Sequence, residues 1–164
     1  MIATVKIPEE RVSVLIGTKG STKRNIQRQT KTKIIIEGEE VTIDGDSINA
    51  LDAENIVKAI GRGFSPENSF LLLDEENTLS IIDLPKNKAT LKRVRSRLIG
   101  TNGKSRRNIE RLTGTHISVY GKTVSLIGEY SNVEIAEQAI NKLIKGVSHR
   151  FVYEFLEAKQ NERA

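Results

Sequence analysis

The chain has 164 residues, 37% of them hydrophobic and 29% charged, with a net charge of +5 and no cysteine. That balance suits one large or two small globular domains, and it excludes a disulfide scaffold, a thiolate zinc site and a cysteine nucleophile. No apolar run exceeds the four residues from Phe70 to Leu73, which excludes a membrane-spanning helix, and the start MIATVKIPEE lacks the pattern of a secretion signal, so a cytoplasmic location is expected.

Alternation at Thr4-Val5-Lys6-Ile7 predicts a short opening strand. A short helix follows, ending at Leu15-Ile16, and then a tight loop bounded by Gly17 and Gly20. A second helix is predicted from near Ser21 to Thr30. Two strands come next, Lys33–Glu37 and Val41–Asp44, with Gly38 in their turn. A longer helix over about 47–63 closes the set, with Leu51, Ile56, Val57 and Ile60 on its apolar side. The segment PENSFLLLDEEN then combines a proline, turn formers and an acidic cluster, which marks a boundary near 66–77.

The same order returns after the boundary. Strand Ser80–Asp83, a helix ending at Leu98-Ile99, a loop bounded by Gly100 and Gly103, and a helix from Lys104 to Thr113 lead to strands His116–Tyr120 and Thr123–Ile127 and a helix over 131–146. Shifting the chain by 83 residues lays VSVLIGTKGSTKRNIQRQTKTKIII over RSRLIGTNGKSRRNIERLTGTHISV, and the register holds without a gap from Arg11 to Gly63, with about 20 of 53 positions identical. The chain is therefore two copies of one β-α-α-β-β-α unit. Each should fold as a three-stranded antiparallel sheet backed by three helices, an α+β architecture. The expected domains are 1–73, with a linker helix, and 78–164. The tail HRFVYEFLEAKQNERA reads as one more helix, docked through Phe151, Tyr153, Phe155 and Leu156.

Charge divides the two copies. Residues 1–77 carry 10 basic and 13 acidic side chains, whereas residues 78–164 carry 16 basic and 8 acidic. Between Lys86 and Arg111 ten basic residues face the single acid Glu110. A one-sign cluster of that density is the footprint of a polyanion-binding surface.

The bare Gly-x-x-Gly pattern carries little information, since about one match is expected by chance at ordinary glycine content. Its placement carries more. Gly17-Thr18-Lys19-Gly20 and Gly100-Thr101-Asn102-Gly103 stand at the same point of both copies, between a helix ending in Leu-Ile and a helix opening with basic residues. Such a loop turns sharply because glycine tolerates the backbone, and its missing side chains also let a sugar–phosphate chain approach. The next helix then offers N–H groups and the positive end of its dipole to phosphate. Lys23, Arg24 and Arg28 follow the first loop, and Lys104, Arg106, Arg107 and Arg111 the second.

This arrangement resembles the K-homology (KH) domain of the eukaryotic and archaeal topology, type I, in two tandem copies covering nearly the whole chain. Besides the loops, the resemblance includes Ile26 and Ile109, Thr30 and Thr113, Gly114, and Ile34 and Ile117. It implies a loop that clamps about four single-stranded nucleotides beside an apolar groove for the bases. The chain departs from the generic pattern where Lys23 and Arg106 replace an aliphatic residue, and where Asn102 stands opposite Lys19. RLIGTNGKSRRNIERLTGTHISVYGKTVSLIG, GVSHRFVYEFLE and AIGRGFSPENSFLLLD further resemble the ribosome-assembly KH proteins of the Dim-two or partner-of-Nob family, with the related Krr-one proteins. That resemblance implies binding to the 3′ end region of small-subunit ribosomal RNA. It also implies partnership with a Nob-type endonuclease and with the alpha subunit of translation initiation factor two. Retention of the first loop favours an archaeal-type member.

Other chemistries fit poorly. Gly103-Lys104-Ser105 looks like the end of a nucleotide-binding P-loop, but Leu98 stands where that motif needs glycine. Asp74-Glu75-Glu76 is an acidic run whose consecutive side chains diverge, so no metal is expected there. His149 has no partner set for acid–base work and is expected to be structural or to stack on a base. The functional expectation is a monomeric, cofactor-free, non-enzymatic binder of single-stranded RNA. The primary site comprises Ile99, Gly100, Thr101, Asn102, Gly103, Lys104, Arg106, Arg107, Arg111 and Ile117, with Lys92, Arg93, Arg95 and Arg97 extending the basic track. The secondary site is Ile16, Gly17, Thr18, Lys19, Gly20, Lys23, Arg24 and Arg28. A general RNA adaptor of an exosome-like or messenger-RNA complex, and a protein scaffold with incidental RNA binding, are the alternatives.

Overall fold

The structure, a computed structural model, describes residues 1–163. The chain divides into two compact units, Met1–Glu75 and Glu76–Ala164.

In the first unit β1 (Ile2–Lys6) leads to α1 (Glu9–Ile16), a single 3-10 turn at Thr18–Gly20, and α2 (Ser21–Thr30). β2 (Lys33–Glu37) and β3 (Glu40–Asp44) form a hairpin, and α3 (Ser47–Gly61) returns across the sheet. A short α4 (Pro66–Ser69) runs into a 3-10 turn at Phe70–Leu73. The sheet order is β1-β3-β2, antiparallel throughout, with Val5 opposite Val41 and Ile34 opposite Ile43. Period-two alternation turns Ala3, Val5, Ile34, Val41 and Ile43 inward, where Leu15, Ile26, Ile56 and Ile60 meet them from the helices. Full burial of one such Leu or Ile stabilises the unit by at most roughly 3 kcal/mol.

The second unit repeats the plan with β4 (Asn77–Asp83), α5 (Lys88–Ile99), a 3-10 turn at Thr101–Gly103, α6 (Lys104–Thr113), β5 (His116–Tyr120), β6 (Thr123–Glu129) and α7 (Tyr130–Ile144). Its antiparallel sheet has the order β4-β6-β5. In both units the chain leaving the first strand is pinned to the hairpin turn: Ile7 donates its N–H to the Glu39 carbonyl at 3.0 Å, and Leu84 to that of Lys122 at 2.9 Å. α5 is four residues longer than α1, because Asn87 caps it through the N–H groups of Ala89 and Thr90, whereas α1 starts after Pro8 with no side-chain cap.

The tail is a helix, α8 (His149–Arg163), packed on α6 and α7. Of the expected docking residues, Leu156 is buried and Tyr153 packs half-buried against the core, but Phe151 does not dock. Val152 and Leu156, one turn apart, are the buried pair, while Phe151 is 65% exposed. A helix presents i and i+4 on one face, so Val152 and Leu156 exclude Phe151 from the core. Phe155 instead lies under the Lys142 ammonium, 4.8 Å from the ring centre.

Candidate nucleic-acid interface

The two loops share one backbone. Gly17 and Gly100 both have φ 75°, with ψ 176° and 175°, and both residues are followed by a threonine that opens a 3-10 turn. Lys19 and Asn102 occupy the left-handed region at φ 54°, and Gly20 and Gly103 lie at φ 77° and 76°. Glycine is required at the first position for space as well as torsion. A Cβ on Gly100 would sit 2.7 Å from the Ser105 nitrogen, and one on Gly17 would sit 2.8 Å from that of Thr22. The chain therefore crosses the start of the following helix at a distance no other residue allows.

α2 and α6 begin at Gly20 and Gly103 with no side-chain cap. The first N–H of each helix, from Ser21 or Lys104, is taken by the Thr18 or Thr101 carbonyl, so it is the positive dipole end that faces the loop, where an anion is stabilised. Each loop is braced from behind. Arg24 donates from Nη1 to the Lys19 carbonyl, and Arg107 from Nη1 to the Asn102 carbonyl, both at 2.5 Å. These arginines serve the loop's shape as well as its charge. A guanidinium carries five N–H donors, and both side chains remain exposed.

Glu110, the lone acid of the basic stretch, is a tether. Its Oε2 accepts the Ile117 N–H at 2.9 Å, and its Oε1 accepts from Arg106 at 2.9 Å. In the first unit Gln27 makes the same bond, its Oε1 accepting the Ile34 N–H at 2.8 Å. Each tether holds the second helix against edge strand β2 or β5. Thr30 and Thr113 close the same corner, bonding back to the Ile26 and Ile109 carbonyls and across to Thr32 and Thr115.

The expected site residues separate into three groups. Lys92, Arg93, Lys104, Arg107 and Arg111 are exposed around the second loop, and Lys19, Arg24 and Arg28 around the first, with Lys23 half-buried beside them. Thr18, Thr101 and Asn102 are exposed at the loop tips, and Ile16 and Ile99 are half-buried beside them. The remaining side chains are turned to the fold. Ile34 and Ile117 are buried in the cores, so their strand edges rather than their side chains border any groove. Arg95 donates to the Gly121 carbonyl at 2.9 Å. Arg97 donates from Nε to the Leu143 carbonyl and from Nη2 to that of Val147, at 3.1 and 2.5 Å, which caps the end of α7.

That cap has a counterpart the repeat does not announce. Arg11 donates to the Ile60 and Phe64 carbonyls, both at 2.7 Å, which are the positions 83 residues before Leu143 and Val147. Yet Arg11 aligns with Val94, and Arg97 with Val14. Three residues separate the two arginines on the shared helix, so one face can supply the same donor from adjacent turns.

Among the described residues no cluster of three His, Cys, Asp or Glu side chains could hold a metal ion. The Asp52 carboxyl on α3 titrates above its ordinary range, through burial first and the charge of Glu75 second.

A three-stranded antiparallel sheet in the order 1-3-2, three helices and a Gly-x-x-Gly turn between the first two of them define a type I KH domain, here present twice. Residues 77–161 match the eukaryotic-type KH domain (KH-domain type I) in the form of the second PNO1 domain, and residues 2–59 match the KH domain. A KH domain-containing protein of Methanocaldococcus jannaschii is 42% identical over 98% of this chain and 75% of its own length. The RNA-binding protein pno1 of Dictyostelium discoideum is 28% identical over 80% of this chain and 56% of its own length, so the chain spans little more than half of that relative. The a/eIF2alpha–aDim2p–rRNA complex from Pyrococcus horikoshii OT3 contains a chain 47% identical to this one, with a TM-score of 0.93 over 99% of this chain and 95% of that one. The chain belongs to the KH-domain family, as an archaeal Dim2/PNO1-like member.

Proposed function

We propose that this chain is a non-enzymatic, single-stranded RNA-binding ribosome-assembly factor that holds the 3′ end region of small-subunit ribosomal RNA. Residues 78–164 form the main RNA-binding domain, and residues 1–73 the weaker one. The carrying observation is the pairing of one loop geometry with two charge environments. Both loops can admit a phosphate chain, but only the second has a surrounding field strong enough to hold it. Gly100 and Gly103 admit the backbone, Lys104, Arg106, Arg107 and Arg111 neutralise it, and Ile99 with the β5 edge borders the bases. Lys92 and Arg93 extend the track along α5.

The Pyrococcus complex supports ribosomal RNA and the alpha subunit of the initiation factor as partners. A Nob-type endonuclease is proposed as a further partner of the monomeric protein. The test is a salt titration of binding to a short RNA of the small-subunit 3′ end. Affinity should fall steeply, with log K declining by about 0.7 per log unit of salt for each neutralised phosphate. A flat dependence would transfer the surface to a protein partner.

A further inference from the structure

Beside the second loop lies a cavity of about 410 Å³ whose walls include Arg93 and Ser96 of α5, Gly100, Lys104 and Ser105 of α6, and His149 of α8. Ser105 is 2% exposed, and its hydroxyl has no hydrogen-bond partner. A buried hydroxyl without a partner is costly, and it marks a place for a polar guest. The wall opposite is fixed. His149 donates from Nε2 to the Arg97 carbonyl at 2.8 Å, and Arg97 is itself held on the end of α7. The first helix turn of α8 is thereby locked against the end of α5.

The first unit keeps a hydroxyl at the equivalent of Ser105 but lacks the two cations. An 83-residue shift puts Glu10 at Arg93, Ser21 at Lys104, Thr22 at Ser105 and Pro66 at His149. One loop backbone is therefore flanked by two cations and a buried serine hydroxyl without a partner in one copy, and by an acid, a serine and a half-buried threonine in the other.

We infer that this cavity is a second anion subsite of the RNA site, built to take a backbone phosphate of the nucleotide adjoining those on the loop. Arg93 and Lys104 supply the charge, the positive dipole end of α6 adds to it, and the Ser105 hydroxyl supplies a donor at close range. This assignment rests on the RNA-binding reading and adds to it a contact that depends on α8.

The test has two arms on the whole protein. In the first, inorganic phosphate is titrated against chloride at matched ionic strength while amide resonances are followed. The Gly100 and Ser105 amides should shift saturably, Gly17 and Thr22 should not, and Arg93→Gln should abolish the response. Absent or equal shifts in both units would overturn the subsite. In the second arm, the salt slope for a single-stranded RNA is compared between wild type, Arg93→Gln, and Lys145→Gln, an exposed lysine at the end of α7 outside both the cavity and the basic track. Arg93→Gln should lower the slope by about 0.7 and weaken binding several-fold for every sequence, while Lys145→Gln should change affinity less than twofold. If phosphate titrates the cavity but the RNA slope is unchanged, the occupant is a free anion and the RNA assignment fails. If RNA does not bind wild type at all, the functional reading fails, and the phosphate arm still decides the subsite.

Discussion

In the first unit the Gly17–Gly20 loop leads into Ser21, with Glu10 on the helix before it; in the second the Gly100–Gly103 loop leads into Lys104, with Arg93 in the place of Glu10. The torsions of the two loops agree within a few degrees. Backbone shape is thus a property of the fold, set by glycine and by the arginine that braces each loop. Capacity to hold a polyanion is a separate property, set by side chains that the fold does not need. Duplication supplied the first twice, and charge distinguishes the copies.

The comparison breaks first at the residues that look alike in charge but differ in task. Arg97→Ala should remove both hydrogen bonds on the end of α7 and destabilise the second unit by about 2–3 kcal/mol. Arg11→Ala should do the same to the first. Urea denaturation measures both, and an Arg97→Ala protein as stable as wild type would return that arginine to the RNA track.

Next in size is the effect of surface charge on binding. Lys104→Ala with Arg111→Ala should weaken single-stranded RNA about tenfold or more in low salt, and the first-unit pair Lys23→Ala with Arg28→Ala less than threefold. Titration of a labelled oligonucleotide reads both. Equal losses would erase the distinction between the units.

A smaller effect concerns the end of α2. Lys31 closes it in the left-handed region at φ 55°, where the second unit has Gly114 at φ 69°. Lys31→Gly should stabilise the first unit by about 1 kcal/mol, seen as a higher denaturation midpoint. The smallest effect sharpens the role of Glu110. Glu110→Gln keeps an acceptor for the Ile117 N–H, as Gln27 does for Ile34, but removes the charge that pairs with Arg106. RNA affinity should rise about twofold, with stability changed by less than about 1 kcal/mol.

Much of this was legible in the sequence. Glycine spacing, the 83-residue register and alternating strands mark backbone requirements, and these fix the order of elements and the two loops. The cap by Arg11 and Arg97 was not legible, because a long side chain reaches the same carbonyls from adjacent turns and so escapes the register. The uses of Arg95 and Glu110 inside the fold were hidden for a related reason: composition counts charges but not their partners. In α8 the expected Leu156 and Tyr153 do pack on the core, but the aromatic Phe151 misled, because helical spacing placed Val152 inside instead. Ile117 and Ile34 could serve either core or groove by pattern, and only packing placed their side chains in the cores. The cavity beside Ser105 depends on α8 folding back beside the loop, a long-range contact without a local signature.

The most direct test of the central claim is fluorescence anisotropy of a short RNA matching the small-subunit 3′ end, with Gly103→Asp set against Gly20→Asp. Each aspartate enters the same left-handed backbone and lies beside the bracing guanidinium of Arg107 or Arg24, so the structural insult is matched. The account predicts that Gly103→Asp abolishes binding while Gly20→Asp weakens it only slightly, both proteins remaining folded by circular dichroism. Equal effects, or no effect of Gly103→Asp in a folded protein, would contradict it.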